Sequence, residues 1–144
     1  MKPKKFLAVV TAATMITANS ISPMPDNFVN LPVFNANAAD IVASGECGAE
    51  GNNVIWQLDS EGTLTVSGTG EMKPWDTIID IPWYADYATS INKIIIENGV
   101  TNISFGSFYG CKSLTSVKIP DSVTDIGVYA FAGCIKLTSI ELPE

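Results

Sequence analysis

The chain has 144 residues, 47% hydrophobic and 16% charged, with eight lysines, no arginine, no histidine and fifteen acidic residues. That length holds one domain and a leader, and a net charge of −7 cannot neutralise a run of phosphates, so nucleic acid is excluded as a partner. Without imidazole the Ser-His-Asp and Cys-His nucleophile systems are excluded, as are histidine zinc sites, and three cysteines cannot make a four-cysteine one.

Lys2, Lys4 and Lys5 precede an apolar run from Phe6 to Ala18. The run suits the core of a signal peptide and is shorter than the ~20 residues that span a bilayer. Pro23, Pro25 and Pro32 follow, then Ala36, Asn37 and Ala38, a small-x-small pattern that signal peptidase cleaves. Residues 1–38 are therefore expected to be a signal peptide, with the exported chain starting near Ala39 and keeping no stable membrane span. That chain has five lysines against fourteen acidic residues, so anionic surfaces should repel it.

Residues 39–90 are expected to form a β-rich capping segment. Val54, Trp56 and Leu58 alternate with polar neighbours, Asp59 to Gly62 reads as a turn, and Leu64 and Val66 alternate again, which is a hairpin pattern. Gly68 and Gly70 permit a change of direction. Trp75, Ile78, Ile79, Ile81, Trp83, Tyr84 and Tyr87 form an aromatic cluster without a clean period. It reads as core covering the first coil of a solenoid; the alternative is a sugar-binding face of Trp75, Trp83 and Tyr84. Asp76, Asp80 and Asp86 read as solvated loop charge rather than a glycosidase pair.

From Ile91 a 23-residue period takes over. Residues 91–113 laid over 114–136 give identities at Ile96/Ile119, Val100/Val123, Thr101/Thr124, Ile103/Ile126, Phe108/Phe131, Gly110/Gly133 and Cys111/Cys134. Leu137 opens a third copy. Leu114, Val117 and Ile119 have strand spacing, Pro120 ends the strand, and Val123, Ile126 and Phe131 are expected to point inward. A coil with one apolar side needs neighbours to cover it, so the period is a solenoid signature.

The segments Ile119–Gly127 and Ala130–Cys134, with their counterparts one period earlier, resemble the BspA-like leucine-rich repeat family of secreted bacterial surface proteins. One departure stands out. The Asn or Cys usual in leucine-rich repeats would fall at Ser122, with Gly99 one repeat earlier. The resemblance implies a right-handed solenoid with one strand per coil, in a cell-surface or adhesion protein. The fold expected is mostly β: a short leucine-rich repeat solenoid over residues 91–144, behind an N-terminal β-hairpin cap.

The residues between the inward strand positions, Lys93, Ile95, Ser116, Lys118, Ser139 and Glu141, should face solvent in columns roughly 4.8 Å apart and make the ligand-contact face. The expected function is non-enzymatic, without cofactor or metal: adhesion, or binding of an extracellular protein or glycan, by a secreted or surface-attached protein. The alternative is the N-terminal accessory binding region of a larger secreted enzyme, because the sequence stops at Pro143 and Glu144, in the turn after a third strand. Leu137, Ile140 and Leu142 would then lie at an open end, and end-to-end self-association is expected. The three thiols are expected to be free, since equivalent positions in stacked coils send their Cβ vectors nearly parallel.

Overall fold

The computed structural model describes residues 39–142, and everything below concerns the unit Asp40–Glu144. The expected signal peptide, residues 1–38, lies outside the described residues.

The first three strands run antiparallel: β1 (Ile41–Gly48), β2 (Gly51–Asp59) and β3 (Thr63–Gly68). The expected hairpin is β2–β3, in register with Trp56 opposite Val66 and Leu58 opposite Leu64. Asp59 closes its loop by accepting hydrogen bonds from the backbone N–H groups of Glu61 (3.0 Å) and Thr63 (2.8 Å). Gly62 supplies the positive φ of 83° that the turn requires. β1 gave no clean alternation in the sequence because glycine replaces an apolar residue at its centre. A Cβ on Gly45 would meet Trp56 Nε1 at 2.9 Å, so the bare backbone there makes room for the indole.

From β3 onward the main sheet is parallel. The coils add β4 (Lys93–Ile96), β6 (Ser116–Lys118) and β8 (Ser139–Glu141), giving the strand order β1-β2-β3-β4-β6-β8. Each complete coil also has a two-residue strand, β5 (Asn102–Ile103) and β7 (Asp125–Ile126), which pair with each other. β3 thus stands where a preceding coil's strand would. The cap segment supplies the rest of that turn through a 3₁₀ turn at Ile78–Asp80 and the short helix α1 (Tyr84–Tyr87).

The aromatic cluster without a period has a periodic job. Trp83 stacks on Phe108 at 5.9 Å and Phe108 on Phe131 at 5.4 Å, with interplanar angles of 19° and 24°. Trp83 therefore fills the slot that phenylalanine fills in the repeats, and its Nε1 donates to the Ser107 carbonyl at 2.8 Å. Trp56 and Trp75 meet Trp83 edge-on. Trp75 and Trp83 are both buried, so their indoles are core and not a sugar-stacking face, while Ile79 of the same cluster is exposed.

Inward positions of the strands line up as Leu64, Ile94, Val117 and Ile140. The first three are at most 1% exposed and the last is 41% exposed. The expected burial of Ile126 and Phe131 is corrected by the same gradient. Ile103 and Phe108 are buried, whereas Ile126 is exposed and Phe131 only partly buried. β8 covers the strand side of the second coil, and Ile126 and Phe131 lie where, among the described residues, it does not reach.

Candidate functional site

The backbone ladder puts the six expected contact residues side by side. Lys93 pairs with Ser116 and Ser116 with Ser139; Ile95 pairs with Lys118 and Lys118 with Glu141. β3 extends both columns, with Thr63 beside Lys93 and Thr65 beside Ile95. Lys93, Lys118, Ser139 and Glu141 are exposed, while Ile95 and Ser116 are half-buried. Five of the six, Ser139 excepted, line a depression of ≈ 270 Å³ together with Val117. The face offers ammonium groups, a carboxylate and hydroxyls around a half-buried isoleucine.

What holds these columns in place is a set of side-chain bonds to the neighbouring coil's backbone. The hydroxyls of Thr115 and Thr138 donate to the carbonyls of Asn92 and Thr115, at 3.0 and 3.3 Å. Thr124 does the same to Thr101 at 3.3 Å. Ser122, where leucine-rich repeats usually have Asn or Cys, accepts from the Gly99 N–H at 3.1 Å and donates to the Val100 carbonyl at 2.8 Å. A serine suffices because its one oxygen serves both the donor and the acceptor of the preceding coil. Asn102 belongs to a glycosylation sequon in the sequence, but its side chain is engaged, accepting from the Met72 N–H at 2.7 Å.

Close approach governs the turns. A Cβ on Gly127 would lie 2.5 Å from the backbone nitrogen of Phe105, so the second coil can settle onto the first only with glycine there. The N–H groups of Gly106, Phe108 and Gly110 donate to the carbonyls of Val128, Ala130 and Ala132 at 2.8–3.0 Å. The left-handed position at Gly106 (φ 62°) is occupied by Tyr129 (φ 61°) one coil later.

Cys47, Cys111 and Cys134 are free thiols. Burial pushes Cys47 and Cys111 up to about 12, with the neighbouring Cys134 adding to the effect at Cys111. Burial also raises Cys134, opposed by a backbone hydrogen bond from Cys111. Thiols held protonated are packing groups and poor nucleophiles. Asp76, Asp80 and Asp86 are exposed, and Asp80 accepts from the N–H and hydroxyl of Thr77. No group of His, Cys, Asp and Glu that could hold a metal occurs among the described residues.

Residues 79–144 match the family model described as a BspA type leucine-rich repeat region of six copies. These residues are a BspA-type leucine-rich repeat region. The match starts inside the 3₁₀ turn, ahead of the first clean period, in keeping with the coil-like role of the cap segment. The fold agrees with the crystal structure of a leucine-rich repeat protein from Eubacterium ventriosum at 2.50 Å resolution. The TM-score is 0.60 at 36% identity, over 68% of this chain and 26% of that one. The chain thus spans about a quarter of the length of that relative. No curated protein is significantly similar to it. Among the described residues no helix is long and apolar enough to cross a membrane.

Proposed function

We propose that this chain is a non-enzymatic binding module of a secreted or cell-surface protein, and that its strand face adheres to an extracellular protein. The observation that carries this reading is the register of β3, β4, β6 and β8. It repeats the same outward positions at each coil and so builds a surface longer than any one coil could offer. Extended solenoid faces of this kind are common binding surfaces. Two lysines and a glutamate beside hydroxyls suit a polypeptide with both charges and free backbone groups.

Surface plasmon resonance against a panel of purified extracellular proteins tests the reading, with the double variant Lys93→Glu/Lys118→Glu as the comparison. Binding by the wild type that falls about tenfold or more in the variant supports it. Binding that ignores both changes, or no binding anywhere in the panel, rejects it.

The exposure of Ile140 and Leu142, with Leu137 beside them, supports a further element, end-to-end self-association of the isolated 144-residue chain. Sedimentation at rising concentration tests it. Ile140→Lys should keep the chain monomeric, and a wild type that stays monomeric throughout rejects it.

A further inference from the structure

Away from the strands, Tyr84 of α1 and Tyr109 of the first coil's turn approach each other, ring centroids 6.4 Å apart and planes tilted by 47°. They line a cavity of ≈ 400 Å³ together with Thr89, Lys112, Gly110 and Gly133, and it shares no residue with the strand face. Its bare corner is a by-product of stacking. Gly110 and Gly133 both have positive φ, 70° and 78°, and a Cβ on Gly133 would come within 3.3 Å of the Gly110 Cα.

The side chains around that corner are not dictated by the repeat. Position 109 becomes Ala132 one coil later and position 112 becomes Ile135, while the core positions Phe108, Gly110 and Cys111 recur unchanged. An exposed tyrosine beside a lysine is therefore not explained by packing. The cavity falls within the size range of ligand sites, which pair aromatic walls with a few convergent polar groups. Tyrosine gives an apolar ring with a polar tip. Thr89 and Lys112 add a hydroxyl and an ammonium donor. An excess of negative charge over the chain opposes polyanions.

A hexopyranose has the complementary form, a C–H face for a ring and a rim of hydroxyls for short polar groups. We propose that this cleft binds a neutral hexopyranosyl oligosaccharide, with a sugar ring on Tyr109 and its hydroxyls bonded to Thr89, Lys112 and the tyrosine hydroxyls. The site is separate from the strand face and stands or falls independently of it.

Saturation-transfer difference NMR of the full chain with cellotetraose, maltotetraose and tetra-N-acetylchitotetraose tests the proposal. At least one of these should show transfer. Tyr109→Ala should weaken binding about tenfold and Tyr109→Phe much less, as expected for the loss of one aromatic contact. Ala85→Trp, which fills the cleft from an exposed helix position, should give the same loss without touching the core. Lys118→Ala on the strand face should change nothing. The proposal is overturned if no neutral oligosaccharide shows transfer, if only a heparin tetrasaccharide does, or if binding persists in both Tyr84→Ala/Tyr109→Ala and Ala85→Trp.

Discussion

Ile103 and Ile126, Phe108 and Phe131, and Cys111 and Cys134 are three pairs at the same positions of successive coils. In the first coil all three side chains are buried; in the second, Ile126 is exposed and Phe131 and Cys134 are partly covered. The residues are identical, so the difference comes from neighbours. The first coil lies between the cap segment and the second coil along its whole length, whereas beyond the second coil only the strand is covered, by β8. Burial in a solenoid is thus a property of position in the stack, as the nearest-neighbour description of repeat stability requires.

Truncating the stacked rings tests this most severely. Phe108→Ala should cost about 3–5 kcal/mol, as for other fully buried aromatics, and Phe131→Ala roughly 1–2 kcal/mol, in proportion to its smaller burial. Urea titration of both variants measures the gap. Equal costs would show that the outer side of the second coil is covered in solution.

A smaller effect separates the two turns. Gly127→Ala pushes a methyl into the backbone at Ser104 and Phe105 and should cost about 1–3 kcal/mol, like other overpacking changes. Ser104, the same position of the first coil, already carries a side chain, which donates to the Met72 carbonyl at 3.1 Å. Ser104→Gly should therefore cost about 1 kcal/mol through that lost bond, and a larger loss there than at Gly127 would reverse the assignment of the tight contact. Ser122→Ala should cost roughly 1–2 kcal/mol, since it leaves the Gly99 N–H without its partner.

The period made the coils legible: the strand register, the inward column and the glycine turns all follow from residues 23 apart. The hairpin was legible from alternation and from Asp59 to Gly62. Residues 68–90 were legible as core covering the first coil, but the place of Trp83 in the phenylalanine slot was not, because it gets there by an irregular path whose length differs from the repeat. Nor was the exposure of Ile126 and Phe131, which look the same in sequence whether or not another coil covers them. For the strand face, alternation foretold which residues stand together, but a column of Lys, Ser and Glu carries no record of its ligand. Tyr84 and Tyr109 were hidden for a simpler reason, that α1 and the first coil's turn meet only in three dimensions.

Two finer contrasts sharpen the comparison of the coils. Tyr129→Gly gives the second coil the residue the first has at the left-handed position. It should stabilise the fold by no more than about 1 kcal/mol, the relief of a side chain at positive φ being offset by a more flexible unfolded chain. A clear loss in thermal denaturation would mean that the edge-on contact of Tyr129 with Phe105 outweighs the strain. Thiol reactivity should separate Cys134 from Cys111 without altering stability at neutral pH. Ellman's reagent at pH 8 should modify Cys134 first, and all three thiols should react after unfolding. Because burial raises the folded thiols above 9.0 to about 12 at Cys47 and Cys111, the native state holds those protons more tightly. The contribution of these two thiols to stability should be fully present below pH 9 and lost as pH rises above it, which denaturant midpoints across pH 8–10.5, compared with those of Cys47→Ala and Cys111→Ala, would show.

The three-residue loop between β2 and β3 also sets an order of events. Its strands are neighbours in sequence, so their pairing closes a short loop at small entropic cost, whereas each parallel pairing between coils must first close a loop of twenty or more residues. The hairpin should therefore form first, and its second strand then serves as the template on which β4, β6 and β8 are laid down in turn. Folding in this molecule has a direction, from the N-terminal hairpin outward, which is also the order in which the chain leaves the ribosome.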